Sequence, residues 1–256
     1  MAGFTWYELM TSDAEAAKRF YGEVVDWEIE DLGGAHSGYS ILKAGGRGIA
    51  GLMNLPAEAC EKGTQPGWIG YVGVADADAA AARLEAAGGA ILRAPADIPE
   101  VGRFAVVTDP GGAPFMLLAP TPRDGVPPRL PRMSLGNVGW HELYAADGDA
   151  AFRFYAEQFG WSEVSALDMG PMGTYRLWSP EAGGEAVGGM MTKPADLPQP
   201  QWQFYFVVDS VEAAAERIGS AGGEVVREPM AVPDGSWIVM AIDPQGAQFA
   251  LVSKER

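Results

Sequence analysis

Side chains able to do chemistry are scarce in this chain of 256 residues. It has two histidines, His36 and His141, and a single cysteine, Cys60. One cysteine excludes an intrachain disulfide framework and any cysteine-rich zinc or iron–sulfur centre, and two histidines leave little for a histidine-rich metal site. Cys60 has no histidine partner at hand and reads as an incidental thiol. The clusters Gly45-Gly46-x-Gly48 and Gly183-Gly184 are not followed by Lys-Ser/Thr or a helix start, so a phosphate loop is not expected. What remains is a pair of glutamates in matching surroundings, Trp6-Tyr7-Glu8-Leu9 and Trp140-His141-Glu142-Leu143. A carboxylate among aromatic rings loses hydration, which raises its pKa and poises it as a general base or acid. The competing reading is a structural glutamate, paired with an arginine or facing solvent.

The glutamates match because the chain is a duplication. Residues 4–30 align without gaps on 138–164 with 11 identities in 27 positions, and residues 66–119 align on 200–253 with 20 in 54. Pro120, Pro122, Pro127, Pro128 and Pro131 crowd the joint, where missing donors and a fixed φ favour an extended linker. The expected organisation is one domain at 1–119, a Pro-rich linker at 120–133 and a second domain at 134–256.

Within the first copy, residues 4–10 read as a strand, and Asp13 as the N-cap of a helix over 14–25 with Phe20 and Tyr21 at core spacing. Three short strands follow, over 27–30, 39–43 and 48–53. The pattern then restarts with a strand at 68–74 and an Ala-rich helix at 76–87 stopped by Gly88-Gly89. Strands follow near 90–93, 103–108 and 114–118, the last pair joined by an Asp-Pro-Gly-Gly turn. Each copy is therefore β-α-β-β-β twice.

Composition narrows the partners. Lys and Arg number 18 against 34 Asp and Glu, a net charge of −16 that repels phosphate backbones and anionic membrane surfaces. No nucleic acid or membrane partner is expected, and no run approaches the ~18 apolar residues of a membrane span. The start, Met1-Ala-Gly-Phe-Thr-Trp-Tyr-Glu, lacks a basic and an apolar signal region, so a cytoplasmic location is expected. A monomer or homodimer and a small-molecule ligand are the partners left.

An Asp-led helix carrying Phe-Tyr, a strand-helix with a Gly-Gly stop, and Asp109-Pro110-x-Gly112-Ala113-x-Phe115 repeated at Asp243-Pro244-x-Gly246-Ala247-x-Phe249 carry a likeness. The pattern resembles the vicinal oxygen chelate superfamily of glyoxalases, bleomycin resistance proteins and extradiol dioxygenases, and most of all its tandem two-domain glyoxalase-like proteins of actinobacterial type. The resemblance implies an α+β fold of four βαβββ modules forming two glyoxalase-like domains with half-barrel cavities. Such proteins usually hold a divalent metal. The resemblance places its ligand positions at Trp6, Ile69 and Met116 in one copy and Trp140, Gln203 and Ala250 in the other. Trp, Ile, Met and Ala are not ligands for such ions, so no metal and no cofactor is expected.

Strand alternation then sorts the walls. If Trp6 faces a cavity, Phe4 and Glu8 do as well, and Trp140 with Glu142 in the second copy, with His141 on the opposite side. Tyr71 and Met116 join the first wall, and Gln203 and Tyr205 the second; Tyr39 and Tyr175 open strands that reach a ligand or pack in the core. The lone His141 reads mainly as hydrogen-bonded structure and is kept as a ligand-binding candidate. A pocket of Trp, Tyr, Met and one carboxylate suits a planar or aromatic molecule. Gln203 stands where the first copy has Ile69, so the second pocket is expected to be the more polar and discriminating. Three functions compete: a metal-independent lyase, isomerase or hydrolase using Glu8 or Glu142; a sequestering protein of the bleomycin-resistance type; and a retained fold whose pocket its own side chains fill.

Overall fold

The computed structural model describes residues 3–61, 63–122, 125 and 128–256; of the linker prolines, Pro127 lies outside the described residues. Four βαβββ modules follow one another. The first is β1 (Phe4–Thr11), α1 (Ala14–Val25), β2 (Glu28–Asp31), β3 (Tyr39–Ala44) and β4 (Arg47–Asn54). A short helix absent from the sequence expectation, α2 (Ala57–Glu61), leads to β5 (Gly67–Gly73), α3 (Ala77–Ala86), β6 (Ala90–Ile98), β7 (Gly102–Thr108) and β8 (Pro114–Pro120). The second repeat runs through β9 (Val138–Ala145), α4 (Gly148–Phe159), β10 (Ser162–Asp168), β11 (Thr174–Ser179) and β12 (Gly188–Thr192). It ends with β13 (Gln201–Val207), α5 (Val211–Ser220), β14 (Glu224–Ala231), β15 (Trp237–Ile242) and β16 (Gln248–Ser253). The fold is mixed α+β. Its two eight-stranded sheets have the orders β2-β3-β4-β1-β5-β8-β7-β6 and β10-β11-β12-β9-β13-β16-β15-β14. No helix among the described residues is long and apolar enough to cross a membrane.

Helix starts follow the capping rule. Asp13, Asp76, Asp147 and Ser210 each accept a hydrogen bond from the backbone N–H three residues on, satisfying a donor that the first turn leaves unpaired.

The chain packs as two compact units that interleave the repeats. One comprises Met1–Thr5, Ile69–Pro128 and His141–Trp202, the other Trp6–Trp68, Arg129–Trp140 and Gln203–Arg256. In the first unit α3 packs beside α4. Tyr155 on α4 donates to Asp109 Oδ2 at 3.3 Å and accepts from Trp202 Nε1 at 3.0 Å. Trp161 stacks on Trp178 at 3.8 Å and on Tyr155 at 5.1 Å. The second unit repeats the device with α1 beside α5. Tyr21 donates to Asp243 Oδ2 at 3.2 Å and accepts from Trp68 Nε1 at 2.9 Å. Trp27 and Trp68 meet Phe206 at 4.8 and 4.7 Å, and Arg217 of α5 donates to the Val24 carbonyl at the end of α1. Each core thus takes its helices and aromatic rings from both repeats.

One expectation about the walls needs correcting. Phe4 does not share the face of Trp6 and Glu8: it stacks on His141 at 4.9 Å and meets Trp161, Trp178 and Trp202 in a core. Thr5 and Trp6 are consecutive half-buried residues in β1, so the strict alternation slips by one there. Counting in twos from Trp6 holds toward Glu8 and fails toward Phe4.

Candidate functional site

β1 and β4 run parallel, with Glu8 opposite Gly51, and β3 lies antiparallel on the far side of β4. Leu9, Leu42 and Leu52 have no exposed surface, so their alternates Glu8, Tyr39, Ile41, Gly51 and Met53 form the other face of the three strands. On that face Trp6 Nε1 donates to Tyr39 Oη at 3.0 Å, and the Tyr39 hydroxyl donates to Glu8 Oε2 at 3.0 Å. Burial, and then the negative charge of Glu8, hold the Tyr39 hydroxyl far above the ordinary tyrosine range, so it remains a donor at every working pH. Glu8 is 6% exposed.

Gly51 makes this arrangement fit. A Cβ there would overlap the Tyr39 hydroxyl outright and stand 3.0 Å from its Cε2. In the other unit Glu142 of β9 lies opposite Gly189 of β12, and the Tyr175 ring lies over Gly189 just as closely. Carboxylate, glycine and tyrosine therefore recur as Glu8, Gly51, Tyr39 and Glu142, Gly189, Tyr175. The glycines escaped the sequence reading because they fall outside the two ungapped alignments; a glycine in the interior of a strand is the signal that marks them.

The other predicted residues separate into groups. Tyr71 and Met116 face each other across the β5–β8 ladder, with Val106 beyond Met116. Trp140 packs against a cluster of Tyr205, Val207, Ala250 and Val252, joined by Met133, Ile238 and Met240. Buried Gln203 donates its amide to the Phe204 carbonyl at 3.3 Å. His141 lies apart from these groups: its Nδ1 meets the Val187 carbonyl at 2.8 Å, which makes Nδ1 the protonated nitrogen, and its ring stacks on Phe4.

Two carboxylates read from sequence only as turn residues carry shifted pKa values. Burial raises the pKa of Asp109 and of Asp243, against the pull of the backbone N–H groups of their own turns and of Tyr155 and Tyr21. A groove of about 250 Å³ beside Asp109 is walled by Pro110, Gly111, Ala145, Ala146 and the start of α4. Asp109 spends its two oxygens on Ala113 N and Tyr155, so it is committed to the turn and the core.

Among the described residues no group of three His, Cys, Asp or Glu side chains is placed to hold a metal ion. The superfamily resemblance would put metal-ligand positions at Trp6, Ile69 and Met116 in one copy and at Trp140, Gln203 and Ala250 in the other. Only Gln203 supplies an oxygen, so the donor set does not fit a divalent ion.

The sequence profile of the glyoxalase/bleomycin resistance protein/dioxygenase superfamily matches residues 3–117 and again 137–251. A protein named as a glyoxylase, CFP32 of Mycobacterium tuberculosis, is 32% identical over 249 residues, spanning 96% of this chain and 93% of the relative. The anthracycline biosynthesis protein DnrV of Streptomyces peucetius is 29% identical over 270 residues, 96% and 91% of the two chains. Among solved structures, the 2,3-dioxygenase LapB of Pseudomonas sp. KL28 superposes with a TM-score of 0.65 at 15% identity, over 100% of this chain and 92% of that one. The Mn(II)-bound glyoxalase of Novosphingobium aromaticivorans gives 0.63 at 18%, over 100% and 82%. At these identities the two structures share the fold.

Proposed function

Because the chain belongs to the glyoxalase/bleomycin resistance protein/dioxygenase superfamily, we propose that it takes up a small planar organic molecule on the Trp6–Tyr39–Glu8 face and acts on it without a metal. Glu8 is the proton acceptor. The observation that carries this reading is the hydrogen-bond chain from Trp6 through Tyr39 to Glu8. The carboxylate beside an indole offers an acceptor for a ligand N–H or O–H, or a base for a proton taken from the ligand. Returned to another atom of the same molecule, that proton completes an isomerisation; returned to a leaving group, an elimination. Glu142, with Tyr175 over Gly189, repeats the geometry in the second copy and is the control for the same substitution.

Metal independence rests on the chemistry of the residues at the ligand positions. An aromatic ligand is supported by the likeness to the anthracycline biosynthesis protein DnrV.

The test is binding of a planar hydroxylated aromatic, 1,4-dihydroxyanthraquinone, and turnover of derivatives of it that carry an acidic C–H beside a carbonyl or a leaving group, before and after Glu8→Gln. The isosteric amide keeps the shape and removes the charge and the base. Turnover should fall by roughly 10²-fold or more, and dialysis against EDTA should change nothing. Full activity in both Glu8→Gln and Glu142→Gln, or a tightly bound stoichiometric divalent ion required for turnover, would defeat the proposal. Stoichiometric binding without product would replace it with sequestration of the bleomycin-resistance type.

A further inference from the structure

The segment joining the repeats is wound onto the second one. The Asn137 side-chain amide donates to the carbonyls of Leu130, Pro131 and Arg132 at 3.5, 3.1 and 3.3 Å, drawing these residues into a compact turn. Gly136 N donates to Val207 O, and Val207 N to Asn137 O, each at 2.8 Å, so the end of the turn joins β13. Trp27 Nε1 fastens it again at 2.7 Å to the Gly136 carbonyl. Backbone hydrogen bonds at this density make a built element.

Two side chains of this strap lie where the sequence pattern leads one to expect a ligand. Arg132 donates from Nη1 to the Gly139 carbonyl at 2.8 Å, and its guanidinium stands 5.8 Å from the Trp140 ring centre. Met133 packs with Trp140 against Tyr205 and Ala250. Its sulfur would touch a Cβ on Gly139 at 3.1 Å. A flat cation near an indole and a thioether among aromatic rings reproduce the contacts that an aromatic or cationic guest would make there.

We propose that Arg132 and Met133 are an internal occupant of the second repeat's ligand face, and that the chain consequently keeps one small-molecule site, the Trp6–Tyr39–Glu8 face of the first repeat. The location of the remaining site rests on the function proposed above; the occupancy of the second face rests only on the strap contacts. The earlier expectation of a more discriminating second pocket gives way to a silenced one, in which duplication preserves the interleaved cores while one face stops binding. Arg132→Ala/Met133→Ala removes roughly an indole's worth of atoms from Trp140, Tyr205 and Ala250, so the vacated face should accept a small planar ring.

Equilibrium dialysis with radiolabelled indole tests this on the full chain. The native protein should bind one indole, the strap variant two, and the strap variant carrying Glu8→Gln one. Two sites in the native chain, one in both proteins, or none in either overturns the proposal. None in the native chain and one in the strap variant upholds the occupied face and refutes the Glu8 site, which separates the two failures. A measurement on the native chain covers a variant that does not fold. Hydrogen peroxide should oxidise Met133 roughly tenfold or more slowly than Met172, which is 54% exposed, and saturating indole should leave the Met133 rate unchanged. Equal rates for the two methionines, or a Met133 rate that rises with indole, would show that the strap leaves the face.

Discussion

Replacing Gly51 with alanine puts a methyl group where the Tyr39 hydroxyl lies. In an ordinary strand position this exchange stabilises by about 0.5–1 kcal/mol, because glycine loses more chain entropy on folding. Here the hydroxyl must leave, and two hydrogen bonds of 3.0 Å go with it. The bond to Glu8 has a charged acceptor and is worth about 1.5–3 kcal/mol; the bond from Trp6 is worth about 0.5–1.5 kcal/mol. Against the entropy gain, the net loss is about 1–4 kcal/mol. Urea denaturation followed by tryptophan fluorescence measures it, and a double-mutant cycle isolates the cause. In a Tyr39→Ala background there is no hydroxyl to displace, so Gly51→Ala should be neutral or stabilising, giving a coupling above about 1 kcal/mol. An equal cost in both backgrounds would refute the claim that Gly51 exists to admit Tyr39.

Two further outcomes follow from the cores. Tyr21→Phe and Tyr155→Phe each remove a donor from a buried aspartate and an acceptor from a tryptophan indole, so each should cost about 1–3 kcal/mol in urea denaturation; a cost in one variant alone would deny the equivalence of the two units. Asp109 and Asp243 have folded-state pKa values raised above their ordinary 3.8, so the folded chain binds these protons more tightly than the unfolded chain does. Their contribution is most favourable below about 3.8 and is lost as pH rises through the raised folded values. Relative to the native protein, Asp109→Asn and Asp243→Asn should therefore gain stability as pH rises through that window and level off above it; a relative loss over the same window would overturn the assignment of burial as the dominant cause.

Much of this architecture was legible before any coordinates. The helix over Ala14–Val25 and its Asp13 cap stand where the spacing puts them, because amphipathic period and capping chemistry act within a few residues. The shared face of Trp6 and Glu8 likewise follows from alternation, which a strand imposes locally. The same rule misplaced Phe4, since one slip at Thr5 and Trp6 reverses the count and leaves no mark in residue type. The part played by Gly51 and Gly189 was hidden for a related reason: a glycine records the absence of a side chain, and the tyrosine that needs the space lies on a neighbouring strand.

By itself, the sequence determined the duplication, the four modules, and the pairing of a tryptophan with a glutamate on each first strand. Each of these is a matter of residue type and short-range period. Only the tertiary structure decided that Tyr21 answers an aspartate 222 positions away, that each core draws on both repeats, and that the linker folds back onto Trp140. Those contacts join residues far apart in the chain whose individual types allow many partners. Packing selects among such partners by shape and by which buried polar groups must be satisfied, and neither quantity exists until the chain has closed on itself.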